Sequence, residues 1–192
     1  MGQLKKNKTL AILGGPHKNG VTAKMLEIAM KASKDRGDEV EILYLYEKEI
    51  QFCKGCRKCL ETKQCVIKDD IVGIVDAIKK SDTIILATPV YWANVPAAVK
   101  NLFDRLLGVA MEETKTFPKP RLSGRNYVLL TACNTAMPFA KIFGQSTGAI
   151  RAMKEFFKTS GMRCKGIAVC GNTSNKKEVP AKVKCKIERF FR

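Results

Sequence analysis

The chain has 192 residues, long enough for one domain with a core that needs no disulfide staples. Hydrophobic residues make up 45% and charged residues 28%, which excludes intrinsic disorder as the main state. Two features stand out: a formal charge of +17, and eight cysteines of which four fall between Cys53 and Cys65.

Residues 9–13 form a short apolar run closed by Gly14-Gly15-Pro16, which predicts a buried strand and a turn. From Thr22 the period changes. Met25, Ile28, Ala29 and Ala32 recur on one helical face, and Gly37 is placed to end that helix in a left-handed conformation. Residues 40–46 read as a second strand. Residues 47–68 break the rhythm and hold the cysteine run. Asp69 or Asp70 can cap the next helix, whose apolar face is Ile71, Ile74, Val75 and Ile78.

Residues 83–87 are almost wholly apolar, as in a central strand covered on both faces. A loop follows Thr88-Pro89, and a helix opens near Pro96, where a missing N–H has no partner to lose. Its stripe is Val99, Leu102, Phe103, Leu106 and Leu107. Residues 109–125 read as a surface excursion and 127–133 as the fourth strand. Residues 145–160 read as a helix with Ile150, Met153 and Phe157 inward. Residues 166–170 are the fifth strand, and Val183, Ile187, Phe190 and Phe191 mark a closing helix.

Five strands alternating with five helices predict a single α/β domain over 1–192, with a parallel sheet and helices on both faces. Ligands of such sheets lie beyond the carboxyl ends of the strands. The loops at 14–22, 47–68, 88–95 and 133–144 all follow strands and share that edge.

No apolar run is long enough to span a bilayer, so no membrane association is expected. The first residues have no apolar h-region, and Lys6 stands where a myristoylation signal on Gly2 needs Ser or Thr. A cytoplasmic location is expected. Thiols stay reduced there, so clustered cysteines point to metal or redox chemistry. The charge discriminates less. Its dense groups are Lys5, Lys6 and Lys8, then Lys54, Arg57, Lys58 and Lys63, then Lys182, Lys184 and Lys186. None forms a long helix face interleaved with aromatics, so a basic solvated surface is preferred to a nucleic-acid site.

Gly14 to Thr22 follows a strand and opens a helix, a place where backbone amides bind anions. It lacks both the Walker A ending and the dinucleotide spacing, and a ligand-free turn is the competing reading. Thr88-Pro89-Val90-Tyr91-Trp92 puts the only Trp beside a Tyr at the ligand edge. Such aromatics suit a flat cofactor, or they pack under a loop. These two segments, with Val99-Lys100-Asn101-Leu102-Phe103-Asp104-Arg105, resemble the flavodoxin-like NAD(P)H-dependent FMN reductase family over nearly the whole chain.

The resemblance implies a flavodoxin-like three-layer αβα sandwich with a five-stranded parallel sheet. It implies an FMN phosphate held by Gly15, Pro16, His17, Lys18, Gly20, Val21 and Thr22. It implies an isoalloxazine ring bordered by Pro89, Val90, Tyr91, Trp92 and Ala93, with Asn134 on a further flavin-side loop. NAD(P)H as electron donor and a homodimer or homotetramer are implied as well. The family usually has Ser where Gly15 stands, Arg where His17 stands and Asn where Val21 stands.

Cys53, Cys56, Cys59 and Cys65 have the spacing C-x2-C-x2-C-x5-C. Three thiolates at two-residue gaps can wrap one cubane. The run resembles the iron-sulfur flavoprotein branch of the family, whose motif binds a [4Fe–4S] cluster. Zinc is a second reading, although no second knuckle follows. Metal-free cysteines are a third, since many cluster-free reductases resemble this run too. Four Lys or Arg against one Glu between Cys53 and Cys65 would stabilise a reduced cluster. Most of Cys133, Cys164, Cys170 and Cys185 are expected to be buried thiols.

The preferred reading is an iron-sulfur flavoprotein that transfers electrons between a [4Fe–4S] cluster, FMN and a redox partner protein or NAD(P)H. The alternative is a cluster-free NAD(P)H-dependent oxidoreductase acting on FMN, a quinone or a nitro compound. A basic nucleic-acid-binding module is the remote third.

Overall fold

The structure is a computed structural model that describes residues 6–192; the readings made of Gly2 and Lys5 fall outside the described residues. In chain order the first half holds β1 (Lys8–Leu13), α1 (Val21–Asp35), β2 (Glu39–Tyr44), α2 (Lys58–Thr62), α3 (Ile71–Lys80) and β3 (Thr83–Pro89). Then come α4 (Ala97–Arg105), α5 (Leu107–Ala110), β4 (Met111–Glu112), β5 (Lys119–Pro120) and β6 (Asn126–Ala132). The last elements are α6 (Phe139–Ile142), α7 (Gln145–Thr159), β7 (Arg163–Cys170) and α8 (Ala181–Glu188).

Five strands form one sheet in the order β2-β1-β3-β6-β7, with every neighbouring pair parallel. The reversal between β1 and β3 is the switch point at which such sheets bind ligands. Period-two alternation divides the strands between two cores. Leu10, Ile12, Ile84, Leu86 and Leu129 face α3, α4 and α7. Ala11, Leu13, Ile85, Ala87, Val128 and Leu130 face α1 and α8. This is the expected three-layer sandwich. It explains why β3 reads as unbroken apolar sequence: Ile84, Ile85, Leu86 and Ala87 are all essentially inaccessible. Each large side chain so placed contributes about 1.5–3 kcal/mol relative to exposure.

The departures from expectation have local causes. β2 stops at Tyr44, because Leu45 turns into the core and a 3₁₀ turn over Leu45–Glu47 follows. β7 begins at Arg163, three residues early, and its first three residues are exposed, so no apolar pattern marks them. The excursion at 109–125 contains a short antiparallel ribbon of β4 and β5. Met153 and Phe157 are buried as expected, whereas Ile150 is partly buried. Of the four dispersed thiols, Cys133 and Cys170 are buried, but Cys164 and Cys185 are exposed. Cys164 sits on the open start of β7, and Cys185 lies on α8 away from its buried Ile187. Among the described residues, no helix is long and apolar enough to cross a membrane.

α1 ends as expected, at Gly37 with φ of +100°. Beyond it, Asp38 is tied back to the sheet. Its Oδ2 accepts from Ser33 Oγ at 2.6 Å and Thr9 Oγ1 at 3.1 Å, and Arg36 pairs with the same carboxylate. Burial opposes ionisation of Asp38, but the Arg36 guanidinium and the two hydroxyls outweigh it and hold the carboxyl below its ordinary value. A carboxyl depressed in the folded state contributes stability above its unfolded pKa and loses it as pH falls through the folded value. Chemical denaturation midpoints should therefore drop as pH is lowered below about 4. Asp38→Asn should flatten that acid limb; an unchanged limb would refute the assignment.

Candidate functional site

A cavity of about 400 Å³ opens at the carboxyl edge of the sheet, within the range of about 300–1,000 Å³ common for small-molecule sites. Four loops line it. After β1 come Gly15, Pro16, His17, Gly20, Val21 and Thr22; after β3 come Pro89, Val90 and Tyr91. Ala132, Cys133 and Asn134 follow from the end of β6, and Thr173 and Lys176 from the loop after β7. A larger groove of about 810 Å³ lies between α1 and α8. It is bordered by Glu27, Lys31, Asp35, Arg36, Lys184 and Glu188, charges of both signs, at the opposite end of α1 from the strand-end loops. The smaller cavity is the better candidate because its polar groups converge.

Its chemistry starts at α1. Gly20 is extended there, with φ of −79° and ψ of 169°. No side chain caps the helix and no acidic residue lies in its first turn. The first N–H groups of a 15-residue helix thus point toward the cavity, carrying the positive end of its dipole. With the Thr22 hydroxyl they suit a phosphate.

Three expected residues stand outside the lining. Lys18 pairs with Glu47, and its ammonium lies 4.2 Å from the centre of the Tyr44 ring. Trp92 and Ala93 occupy a tight turn at φ of +51° and +57°, closed by two reciprocal 2.9 Å backbone bonds between Tyr91 and Asn94. That turn leaves the Trp92 side chain fully exposed. Ala93 packs its carbonyl on α7 at Gly148, where an added Cβ would come within 2.1 Å of the oxygen.

Ala132, Cys133, Thr173 and Lys176 were missed by the sequence reading. Thr173 Oγ1 donates to Asn134 Oδ1 at 2.9 Å, and Lys176 Nζ donates to the Gly171 carbonyl at 2.9 Å, which fastens this wall. The signal was available: residues 171–180 also follow a parallel strand, so the edge argument applies to them equally.

The cysteine loop is fastened separately. Asn101 Nδ2 donates to Ile50 O at 3.0 Å, and Asp69 Oδ2 accepts from the Gln51 N–H at 2.9 Å. Arg121 donates to Leu60 O at 3.2 Å. Asp69, rather than Asp70, gives the side-chain cap of α3, accepting from the Ile71 N–H at 3.0 Å. Burial opposes its ionisation, but Arg105 and the N–H groups of Ile71 and Gln51 prevail and hold it low.

Cys53, Cys56, Cys59 and Cys65 border one recess of about 40 Å³, with Asp104, Arg105 and Leu107 on its other side. Four soft thiol donors bordering one recess are, in chemistry, the donor set of an iron-sulfur cluster. Among the described residues, however, no three His, Cys, Asp or Glu side chains converge enough to hold a metal ion. Cys53 and Cys56 are exposed, while Cys59 and Cys65 are half-buried.

The loop meets α5 at Gly108, where an added Cβ would lie 2.0 Å from the Cys59 carbonyl oxygen. That neighbour is backbone and cannot swing away. Gly108→Ala should cost about 1–3 kcal/mol and make the loop more sensitive to protease. Wild-type stability in a denaturant titration would refute this close approach.

Comparison with known proteins bears on both regions. The family model described as NADPH-dependent FMN reductase matches residues 7–131. A protein named iron-sulfur flavoprotein from Archaeoglobus fulgidus is 42% identical over 100 residues, covering 52% of this chain and 46% of that one. Another of the same name from Methanosarcina thermophila is 38% identical over 98 residues, 51% of each. The matches span about half the length of these curated relatives. The solved NAD(P)H:quinone oxidoreductase from Methanothermobacter marburgensis superposes with a TM-score of 0.74 at 15% identity, over 98% of this chain and 97% of that one. At that identity the likeness establishes the fold.

Proposed function

The chain belongs to the NADPH-dependent FMN reductase family, and from that membership we propose that it is an FMN-binding, flavin-dependent oxidoreductase whose cysteine loop carries a [4Fe–4S] cluster. The observation that carries the flavin reading is the uncapped N-terminus of α1 beside a cavity whose opposite wall is Pro89, Val90 and Tyr91. The α1 amides and Thr22 would hold the phosphate. Pro89 to Tyr91 and Asn134 would border the ring, and Lys176 would bring the cation that Lys18, paired with Glu47, does not.

When bound, FMN supplies two-electron acceptance and one-electron release, and a cluster supplies one-electron steps. The chain's own part is to bind, orient and shield; no acid–base pair is assigned. The cluster reading draws on the four thiols around one recess and on the names of the relatives. Its donor would be NAD(P)H or a redox partner protein, and the active form would be a homodimer or homotetramer.

Protein purified without oxygen should bind FMN after reconstitution and contain about four iron and four sulfide per chain. Cys56→Ser should lose the iron and keep the flavin. Failure to bind FMN would sink the whole proposal. Yellow protein without iron would leave a second reading, a cluster-free NAD(P)H-dependent oxidoreductase acting on a quinone or nitro compound. That reading is favoured by one observation, the lack of three converging metal ligands among the described residues. Ultracentrifugation tests the oligomer.

A further inference from the structure

We propose that Arg105 is a positioning residue for the cluster: its guanidinium holds the Cys65 sulfur through an N–H···S hydrogen bond and raises the reduction potential of a [4Fe–4S] centre bound there. The inference rests on the cluster reading of the cysteine loop. It concerns a residue on α4, outside the cysteine run.

The Arg105 side chain is fully buried. Each of its five N–H groups has a partner. Nη1 donates to Gln51 O at 2.5 Å and Asp69 Oδ2 at 2.8 Å; Nη2 donates to Ile67 O at 3.0 Å and Asp69 Oδ1 at 3.1 Å. Nε is left for Cys65, and it stands 3.2 Å from Sγ. The two-pronged Asp69 contact fixes the guanidinium plane, and the Gln51 and Ile67 carbonyls fix it from both ends of the loop. Nε therefore has little freedom except to face the sulfur. Cys65 is thus a thiol whose position is set by contacts outside the run.

The other cations near the cysteines differ in kind. Lys54, Lys58 and Lys63 are exposed, and Arg57 is exposed and paired with Glu113. Solvent and salt screen such charges. Asp69 offsets much of the long-range field of Arg105, so its influence is local and passes through the hydrogen bond. A donor on a ligating sulfur withdraws electron density. Reduction adds negative charge to the cluster, so the same bond strengthens in the reduced state and the potential rises. Lysine cannot reproduce the arrangement, because an ammonium has three donors and no planar fork.

The test is a potentiometric titration of reconstituted wild type and Arg105→Lys, read by cluster and flavin signals separately. The expected result is a more negative cluster potential, with an unchanged FMN potential and unchanged iron content. An unchanged cluster potential in an iron-replete variant overturns the inference. Should Arg105→Lys fail to fold or load, wild-type protein labelled with ¹⁵N-arginine decides by pulsed EPR of the reduced state. A weak ¹⁵N coupling that survives in Arg57→Lys supports the bond, and its absence overturns it. Wild type that takes up no iron overturns this inference and the cluster reading together, and iron analysis reveals that before any potential is read.

Discussion

Arg105→Met is expected to lower folding stability by about 3–5 kcal/mol, the usual cost of removing one partner from a buried ion pair. Asp69 has only 9% of its side chain accessible and would keep the Gln51 and Ile71 N–H groups while losing both guanidinium contacts. The Gln51 and Ile67 carbonyls would lose their donors as well. The methionine stem replaces apolar contacts but none of these bonds. Urea titrations of Arg105→Met, Asp69→Asn and the double variant should be non-additive, because Asp69→Asn removes the charge that Arg105→Met strands. Limited proteolysis should show cleavage within residues 48–68 before the sheet is lost. A loss of less than about 1 kcal/mol, typical of a solvent-exposed pair, would mean that Arg105 is not the clasp of the loop.

That clasp shows where sequence reading stops. The strands β1, β3 and β6 were legible because both faces of each are covered, leaving no charged residue inside the run; the threonines they contain, Thr9, Thr83, Thr88 and Thr131, are buried. The start of β7 was not, because Arg163 and Cys164 pair in the sheet while facing solvent and Lys165 is the exposed extra residue of a bulge. The cavity-lining loops were legible from topology alone, since parallel strands deliver their carboxyl ends to one edge. Side-chain direction within those loops was not. Trp92 turns away because two consecutive residues take positive φ, and Lys18 turns away because Glu47 pairs with it. Neither follows from a local pattern. Asp69 was visible only as a helix cap and Arg105 only as the last residue of the Val99–Arg105 segment that carries the family resemblance. Their 36-residue separation hid the pair that fixes the cysteine loop.

Gly20→Asp is expected to separate the stability of the fold from its affinity for flavin. Gly20 stands at the N-cap of α1 with negative φ, and a Cβ there would be 3.5 Å from His17 Cβ, an ordinary contact. Aspartate therefore fits. Its carboxylate would accept from the first amides of α1, a change worth a few tenths of a kcal/mol over glycine, and would gain about 0.3–1 kcal/mol more from the helix dipole. The unfolding temperature should rise or hold. A phosphate group seeking the same amides would then meet an anion. Unit charges about 4 Å apart at an effective dielectric of 20 repel by about 4 kcal/mol, and each 1.4 kcal/mol is about tenfold in affinity. FMN binding, followed by quenching of flavin fluorescence, should weaken by about three orders of magnitude. Gly20→Asn caps the helix without the charge and should lose far less. Both variants binding FMN as tightly as wild type would show that the phosphate does not sit at α1. The separation of the two effects is the decisive feature, because damage to the fold lowers stability and affinity together, whereas an anion competing for helix amides keeps or raises stability as it weakens binding.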